Sequence, residues 1–334
     1  MSPSAGFDSE FSYELCVCRW AELAWPPGES VGDADSTALT THIVARQLGT
    51  QKRRWDTVIV EVDPAALRNR AAFGDAELDS DLLHILRNAP AEWAWYREAL
   101  PEPDYPWRYV REAIHRAADR DILHTRRAGN RIEIRRIAPY PDWLVRLIAI
   151  ENKPDLDASA ARRLGDQLTH DVDVGLADEV WVATSRTGEL VEPALLEALP
   201  VEAGILTTAF DDGVDADSAQ VDWHPTALTP THGAAHRTTR RLELAERAYG
   251  RGWRNYHETM RPDCRYFALR RHGRALVPWC GAKECHQSAS LCSGSCVDFS
   301  PEPPAWRMRG WPIEGGPGAA SRRLLADRAN RENS

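Results

Sequence analysis

The chain has 334 residues, 43% hydrophobic and 8% aromatic, with a formal net charge of -9. This is the composition of a globular protein with two or three domains, each able to bury a core, and no apolar run approaches the roughly 18 to 20 residues needed to cross a bilayer. Residues 1–10 lack the basic and apolar regions of a signal peptide, so a cytoplasmic location is expected, and the acidic balance argues against a polyanionic partner unless basic side chains are gathered locally.

In chain order, residues 11–24 read as a short helix stopped by Pro26-Pro27-Gly28. Ile43 to Arg46 is a candidate strand, and the β-branched run Trp55 to Val62 is a firmer one, ended by Asp63-Pro64. Residues 65–125 are mainly helical; Val110, Ile114, Ala117, Ala118 and Ile122 recur near helical spacing and leave the arginines on the other face. Two alternating runs then flank Ala128-Gly129-Asn130, which predicts a hairpin. Between 108 and 136, nine arginines stand against four acids, a local balance of +5. Helices followed by a basic hairpin resemble a winged-helix domain, with Arg116, Arg126, Arg127, Arg131 and Arg135 as candidate nucleic-acid contacts. The alternative is a helical insertion with a solvated basic face.

Leu144 to Glu151 is the next expected strand, followed by a helix over roughly 158–175 and strands near 179–184 and 203–207, with a short helix at 195–199 between the last two. Alternating strand and helix predicts an α/β unit. The acidic stretch 211–239 reads as a linker, and residues 240–310 as a Cys-rich C-terminal unit containing a helix from Arg240 to Tyr256. Residues 311–334 read as a flexible tail.

Only three of the 41 basic residues are lysines, Lys52, Lys153 and Lys283. Lys153 follows the apolar strand in the run Ile148-Ala149-Ile150-Glu151-Asn152-Lys153, where alternation puts Glu151 and Lys153 on one face. Lysine is a compact point charge with a tunable pKa, suited to orienting an attacking water. Two aspartates compete to be the second carboxylate. Asp142 follows Pro141, but the uninterrupted strand after it would hold it about 30 Å from Glu151. Asp56 opens its strand while Glu151 closes its own, so antiparallel pairing would bring the two level.

This Glu-x-Lys after an apolar strand resembles the PD-(D/E)XK nuclease superfamily. The resemblance covers roughly 11–62 and 139–210. It implies a restriction-endonuclease-like α/β core, discontinuous over 1–62 and 139–210, interrupted by the insertion 63–138. It further implies that Asp56 and Glu151 hold Mg2+ or Mn2+, that Lys153 orients the nucleophile, and that the substrate is DNA. In the RecB-type branch the following helix carries a glutamine, here Gln167, with a tyrosine four residues on. This chain has Asp171 there. Glu14, on the first helix, matches an outer-shell carboxylate of relatives. Abundant acids with scarce lysine resemble the surfaces of proteins from salt-loving archaea, and the chain is similar to an uncharacterised archaeal group. A nuclease-like DNA-binding or regulatory protein without activity is the alternative.

Cys280, Cys285, Cys292 and Cys296 lie within 17 residues with spacing C-x4-C-x6-C-x3-C. Four thiolates at that density suit a structural Zn2+ site or an iron-sulfur cluster. RecB-type relatives join a cysteine near the first helix to three at the C-terminus, which by resemblance makes Cys18 a candidate fourth ligand of a 4Fe-4S cluster. Cys264 and His286 are substitutes.

Overall fold

The computed structural model of the chain describes residues 10–27, 41–50, 53–185, 197–211, 213–228, 234–253, 264, 266–272, 275–286 and 296–300. The chain is α/β, built on a mixed six-stranded sheet. Helix α1 (Glu10–Ala24) precedes strands β1 (Thr41–Gly49) and β2 (Arg54–Val62), which form an antiparallel hairpin. Strand β6 (Leu144–Asn152) pairs antiparallel with β2, and β7 (Glu179–Ser185) and β8 (Gly204–Thr208) extend the sheet in parallel. Strand β9 (Ala219–Trp223) closes the edge antiparallel to β8, giving the order β1-β2-β6-β7-β8-β9. The parallel step from β6 to β7 needs a crossover, which helix α6 (Ala158–Val174) supplies.

Alternation along the strands sorts the two faces. Val44, Ile59, Ile148 and Ile150 bury against Tyr13, Val17 and Trp20 of α1. Ile43, Val58, Val60, Leu147 and Ala149 bury on the other side, with Leu164 and Leu168 of α6. Helix α7 (Ala234–Arg251) packs on that same face through Leu242, Ala245 and Tyr249. Asp157 caps α6 by accepting from the backbone N–H of Ser159 and Ala160, and Gly175 ends it in the left-handed conformation. Gly165 lets α6 lie close to its neighbour, because a Cβ there would stand 2.1 Å from the carbonyl oxygen of Ala198.

Between β2 and β6 come α2 (Pro64–Arg70), α3 (Ser80–Asn88), β3 (Ala94–Trp95), α4 (Tyr96–Ala99), α5 (Trp107–Asp119), β4 (Leu123–Ala128) and β5 (Arg131–Arg136). The last two form the expected hairpin, and β3 joins it in the order β3-β5-β4. The apolar side of α5, formed by Val110, Ala113, Ile114 and Ala117, shares one continuous core with the sheet and α7. At the seam Arg70 and Glu246 are both fully buried and paired through two hydrogen bonds of 2.6 Å. Tyr140 Oη and the Leu78 N–H also donate to Glu246, and the Arg70 guanidinium lies 4.4 Å from the Tyr249 ring centre.

Two boundaries differ from expectation. The 211–239 stretch is not wholly a linker, because residues 219–223 alternate Ala-Gln-Val-Asp-Trp and add an edge strand whose outer side tolerates polar residues. Helix α7 starts at Ala234 and belongs to the sheet's core, not to a separate C-terminal unit; its buried Glu246 requires Arg70 of α2. A second small sheet, β10 (Phe267–His272), β11 (Ala275–Cys280) and β12 (Cys285–His286), carries part of the cysteine run. The start of the helix expected at 195–199 and the tail 311–334 fall outside the described residues. Among the described residues no helix is long and apolar enough to cross a membrane.

Candidate functional site

The β2–β6 register assembles the site. Its last pair, Thr57 with Ile150, leaves Asp56 level with Glu151 one residue further on. The backbone N–H of Asn152 donates to Asp56 Oδ2 at 3.0 Å and holds that carboxylate at the end of β6. The intervening positions turn the other way: the Asn152 amide donates to Thr57 Oγ1 at 3.0 Å, and Thr57 contacts Cys18 Sγ at 3.3 Å on the α1 side. Lys153 is anchored by its N–H to the Ala183 carbonyl of β7, at 2.8 Å. Asp56, Glu151, Lys153 and Gln167 all line one cleft of about 600 Å3, with Arg54 and Arg163 also on its walls. Asp142 is exposed and lies beyond the Val62–Leu144 end of the strand pair, far from this cleft.

Three contributors were not foreseen. Arg53, in the β1–β2 turn, donates from Nε to both carboxylate oxygens of Asp171, at 3.1 and 3.0 Å. Its Nη2 stands 2.8 Å from Glu151 Oε1 but out of line for a hydrogen bond, so the contact is a charge pair and that buried oxygen has no aligned donor. Asp171 is therefore the Arg53 anchor. Gln47 is the third: at φ 54 it interrupts the β1–β2 pairing and turns its amide to donate to Glu14 Oε1 at 3.0 Å and Asp56 Oδ1 at 3.2 Å. A non-glycine residue in the left-handed region is uncommon and tends to occur where a side chain must be aimed. Glu14 is held in turn by Arg46 Nε at 2.9 Å. The sequence signals for these were the basic run Lys52-Arg53-Arg54 immediately before Asp56 and, for Asp171, its departure from the expected tyrosine.

Burial pushes Glu151 up to about 8, reinforced by the Asp56 and Asp171 charges and opposed by Arg53 and Lys153. Burial likewise raises Asp171, against the pull of Arg53. Two facing carboxylates, one of them buried with an unaligned oxygen, lie in a cleft that Arg53, Arg54, Lys153 and Arg163 also line. Hard oxygen donors of this kind fit a divalent cation such as Mg2+ or Mn2+, with water, backbone carbonyl or phosphate oxygens completing its shell. Among the described residues no group of three or more His, Cys, Asp or Glu side chains forms a complete ligand set.

The cysteines divide. Cys16 and Cys18 are buried in the α1 core, where burial pushes both thiols up and Cys18 is held by Thr57. Cys280 and Cys285 face each other across β11 and β12. Cys292 lies outside the described residues, and Cys18, Cys264, Cys280, Cys285 and Cys296 form no metal-holding group among those that are described.

Of the candidate nucleic-acid contacts, Arg116 on α5 is engaged by Asp79 and, at 3.5 Å, by Asp81. Arg126 pairs with Glu133 at 2.7 Å and Arg131 approaches Glu98 at 3.9 Å. Arg127 is exposed and Arg135 half-buried, both on the hairpin.

A family model described as a family of unknown function, DUF5787, matches residues 43–301. No curated protein and no solved structure matches the chain.

Proposed function

We propose, for a chain that belongs to the DUF5787 family and takes no assigned activity from it, a metal-dependent nuclease that hydrolyses DNA phosphodiester bonds with a PD-(D/E)XK type of site. The observation that carries this reading is the hydrogen bond from the Asn152 N–H to Asp56, which sets Asp56 beside Glu151 in a cleft shared with Lys153. The order of the first four sheet strands supports it. An antiparallel hairpin, an antiparallel third strand ending in Glu-x-Lys and a crossover helix to a parallel fourth support reading the core as restriction-endonuclease-like. In the inserted unit, helix α3, short β3, helices α4 and α5, then a hairpin whose second strand pairs β3, support a winged-helix reading.

Asp56 and Glu151 would hold a divalent cation, which when bound would supply Lewis-acid activation of the phosphate and lower the pKa of an attacking water. Lys153 places a positive charge at the cleft, where it orients that water in line with the leaving oxygen and stabilises charge gathering on the phosphoryl oxygens. Gln47 and the Asn152 N–H keep Asp56 oriented, and Gln167 offers its amide to substrate or water. Arg54 and Arg163 suit flanking phosphates.

One observation favours a second reading, a nuclease-like DNA-binding protein without activity: the Arg53 guanidinium already stands at Glu151 as a counter-charge. The deciding experiment incubates linear, nicked and branched DNA with the protein in Mg2+ or Mn2+. Cleavage that disappears in Lys153→Ala, with unchanged circular dichroism, is expected. Equal cleavage by that variant would refute the assignment, and DNA affinity without cleavage by the native chain would establish the second reading.

A further inference from the structure

We propose that the outer face of the β3-β5-β4 sheet is a binding platform for single-stranded DNA, which rests on the DNA-nuclease reading above and specifies the form of substrate it engages. The hairpin residues 123–136 carry five arginines and His124 against one glutamate. Register separates the two faces. Leu123 and Ile134 point inward and are buried, whereas Trp95, Arg126 and Glu133 lie level with one another on the other side, where His124 and Arg135 also pair.

On that outer side the guanidiniums lie over tryptophan rings. Arg126 and Arg135 stand 4.5 and 4.9 Å from the Trp93 ring centre, and Arg131 stands 4.6 Å from that of Trp95. Both tryptophans are half-buried, and His124 lies 6.4 Å from Trp93. A guanidinium stacked on a ring is held still with its N–H donors in plane, so each can present to phosphate the donors not taken by Glu133, which binds Arg126 Nε, or by Glu98, 3.9 Å from Arg131. Flat aromatic and guanidinium surfaces interleaved on an open sheet are what unpaired bases stack on. A duplex hides its base faces and would meet α5 instead, where Arg116 is already engaged by Asp79 and Asp81.

The platform lies away from the cleft. The inserted unit leaves the sheet at Val62, six residues along β2 from Asp56, or about 20 Å. A strand of several nucleotides that reached both would be held at a distance from the bond being cut.

The test uses the full chain in EDTA, so that nothing is cleaved, with a fluorescein-labelled thymidine oligomer of about 20 nucleotides, the matching duplex and the matching uridine oligomer, read by anisotropy. Expected are single-stranded DNA binding at least about tenfold tighter than duplex and a loss of about tenfold or more in Trp93→Ala/Trp95→Ala, as removal of base-stacking rings produces. Trp93→Phe/Trp95→Phe should recover most of that loss, which a collapsed sheet would not. Duplex bound as tightly as the single strand, RNA preferred to DNA, or unchanged affinity in the alanine variant would each overturn the platform. Mn2+-dependent cleavage is scored separately, so a nuclease whose platform variants bind normally would retain the catalytic reading and lose only this one.

Discussion

Glu151 makes the metal-free protein lose stability as pH rises from about 4.5 to 8, and the size of the effect follows from its surroundings. Its carboxyl rises from the ordinary 4.5 to about 8, chiefly through burial and then through the neighbouring Asp56 charge. An acid whose folded-state value is raised keeps its proton in the native protein after the unfolded chain has released it. Stability from this group is therefore full below about pH 4.5 and is lost as pH rises toward 8, at about 1.4 kcal/mol per unit. Across the whole window this amounts to about 5 kcal/mol, or about 7 °C in Tm for a chain of this length. Glu151→Gln removes the titration while keeping the shape. Thermal unfolding of both proteins in EDTA at pH 5, 7 and 9 should show the variant gaining on the native chain as pH rises. Asp56→Asn should move the native midpoint downward by removing the like charge. Parallel Tm curves for native protein and Glu151→Gln would refute the reasoning, since they would mean that Glu151 ionises as readily folded as unfolded.

In the same buffers, Mg2+ or Mn2+ should raise the native Tm while Glu151→Gln responds weakly; calorimetry between pH 6 and 8 should detect protons released on cation binding, and none released would count against this carboxylate as a ligand. Arg53→Ala strands the buried Asp171 and should cost about 2 to 4 kcal/mol in urea unfolding, most of it recovered by adding Asp171→Asn; additive losses would show that the pair is not coupled. Glu246→Gln leaves Arg70 charged and buried and should cost about 3 to 5 kcal/mol, whereas a loss below 1 kcal/mol would mean that water reaches the seam. The expectation of a cysteine-held metal is met by bound zinc that Cys292→Ser releases, or by visible absorbance if the metal is an iron-sulfur cluster; an anaerobically purified, metal-free protein would dismiss both.

What could be read from the sequence was whatever the local pattern encodes. The β-branched run through Val58 and Val60 and the glycine turn between β4 and β5 each announce their element. Even the Asp56–Glu151 pairing was accessible, because the start of one antiparallel strand must meet the end of the next. What escaped depends on partners far along the chain. Arg53 finds Asp171 118 positions away, and no periodicity records a reach out of a turn. Asp171 registered only as a departure from the tyrosine of RecB-type proteins. Helix α7 is polar enough to pass for a solvated helix until Glu246 meets Arg70 across 176 positions. Strand β9 was hidden by the acids just before it, since an edge strand with one wet side needs few apolar residues.

The buried Arg70–Glu246 seam bears on how this architecture can have changed over time. Because β2 and β6 are neighbours, the inserted unit departs at Val62 and returns at Leu144 side by side, an arrangement that would let a short turn replace it without disturbing the sheet. Yet excising it would strip Glu246 on α7 of its guanidinium partner. Loss or exchange of the unit would thus have to be matched by altered α7 residues, and ancestors without it should carry an apolar side chain where Glu246 now stands.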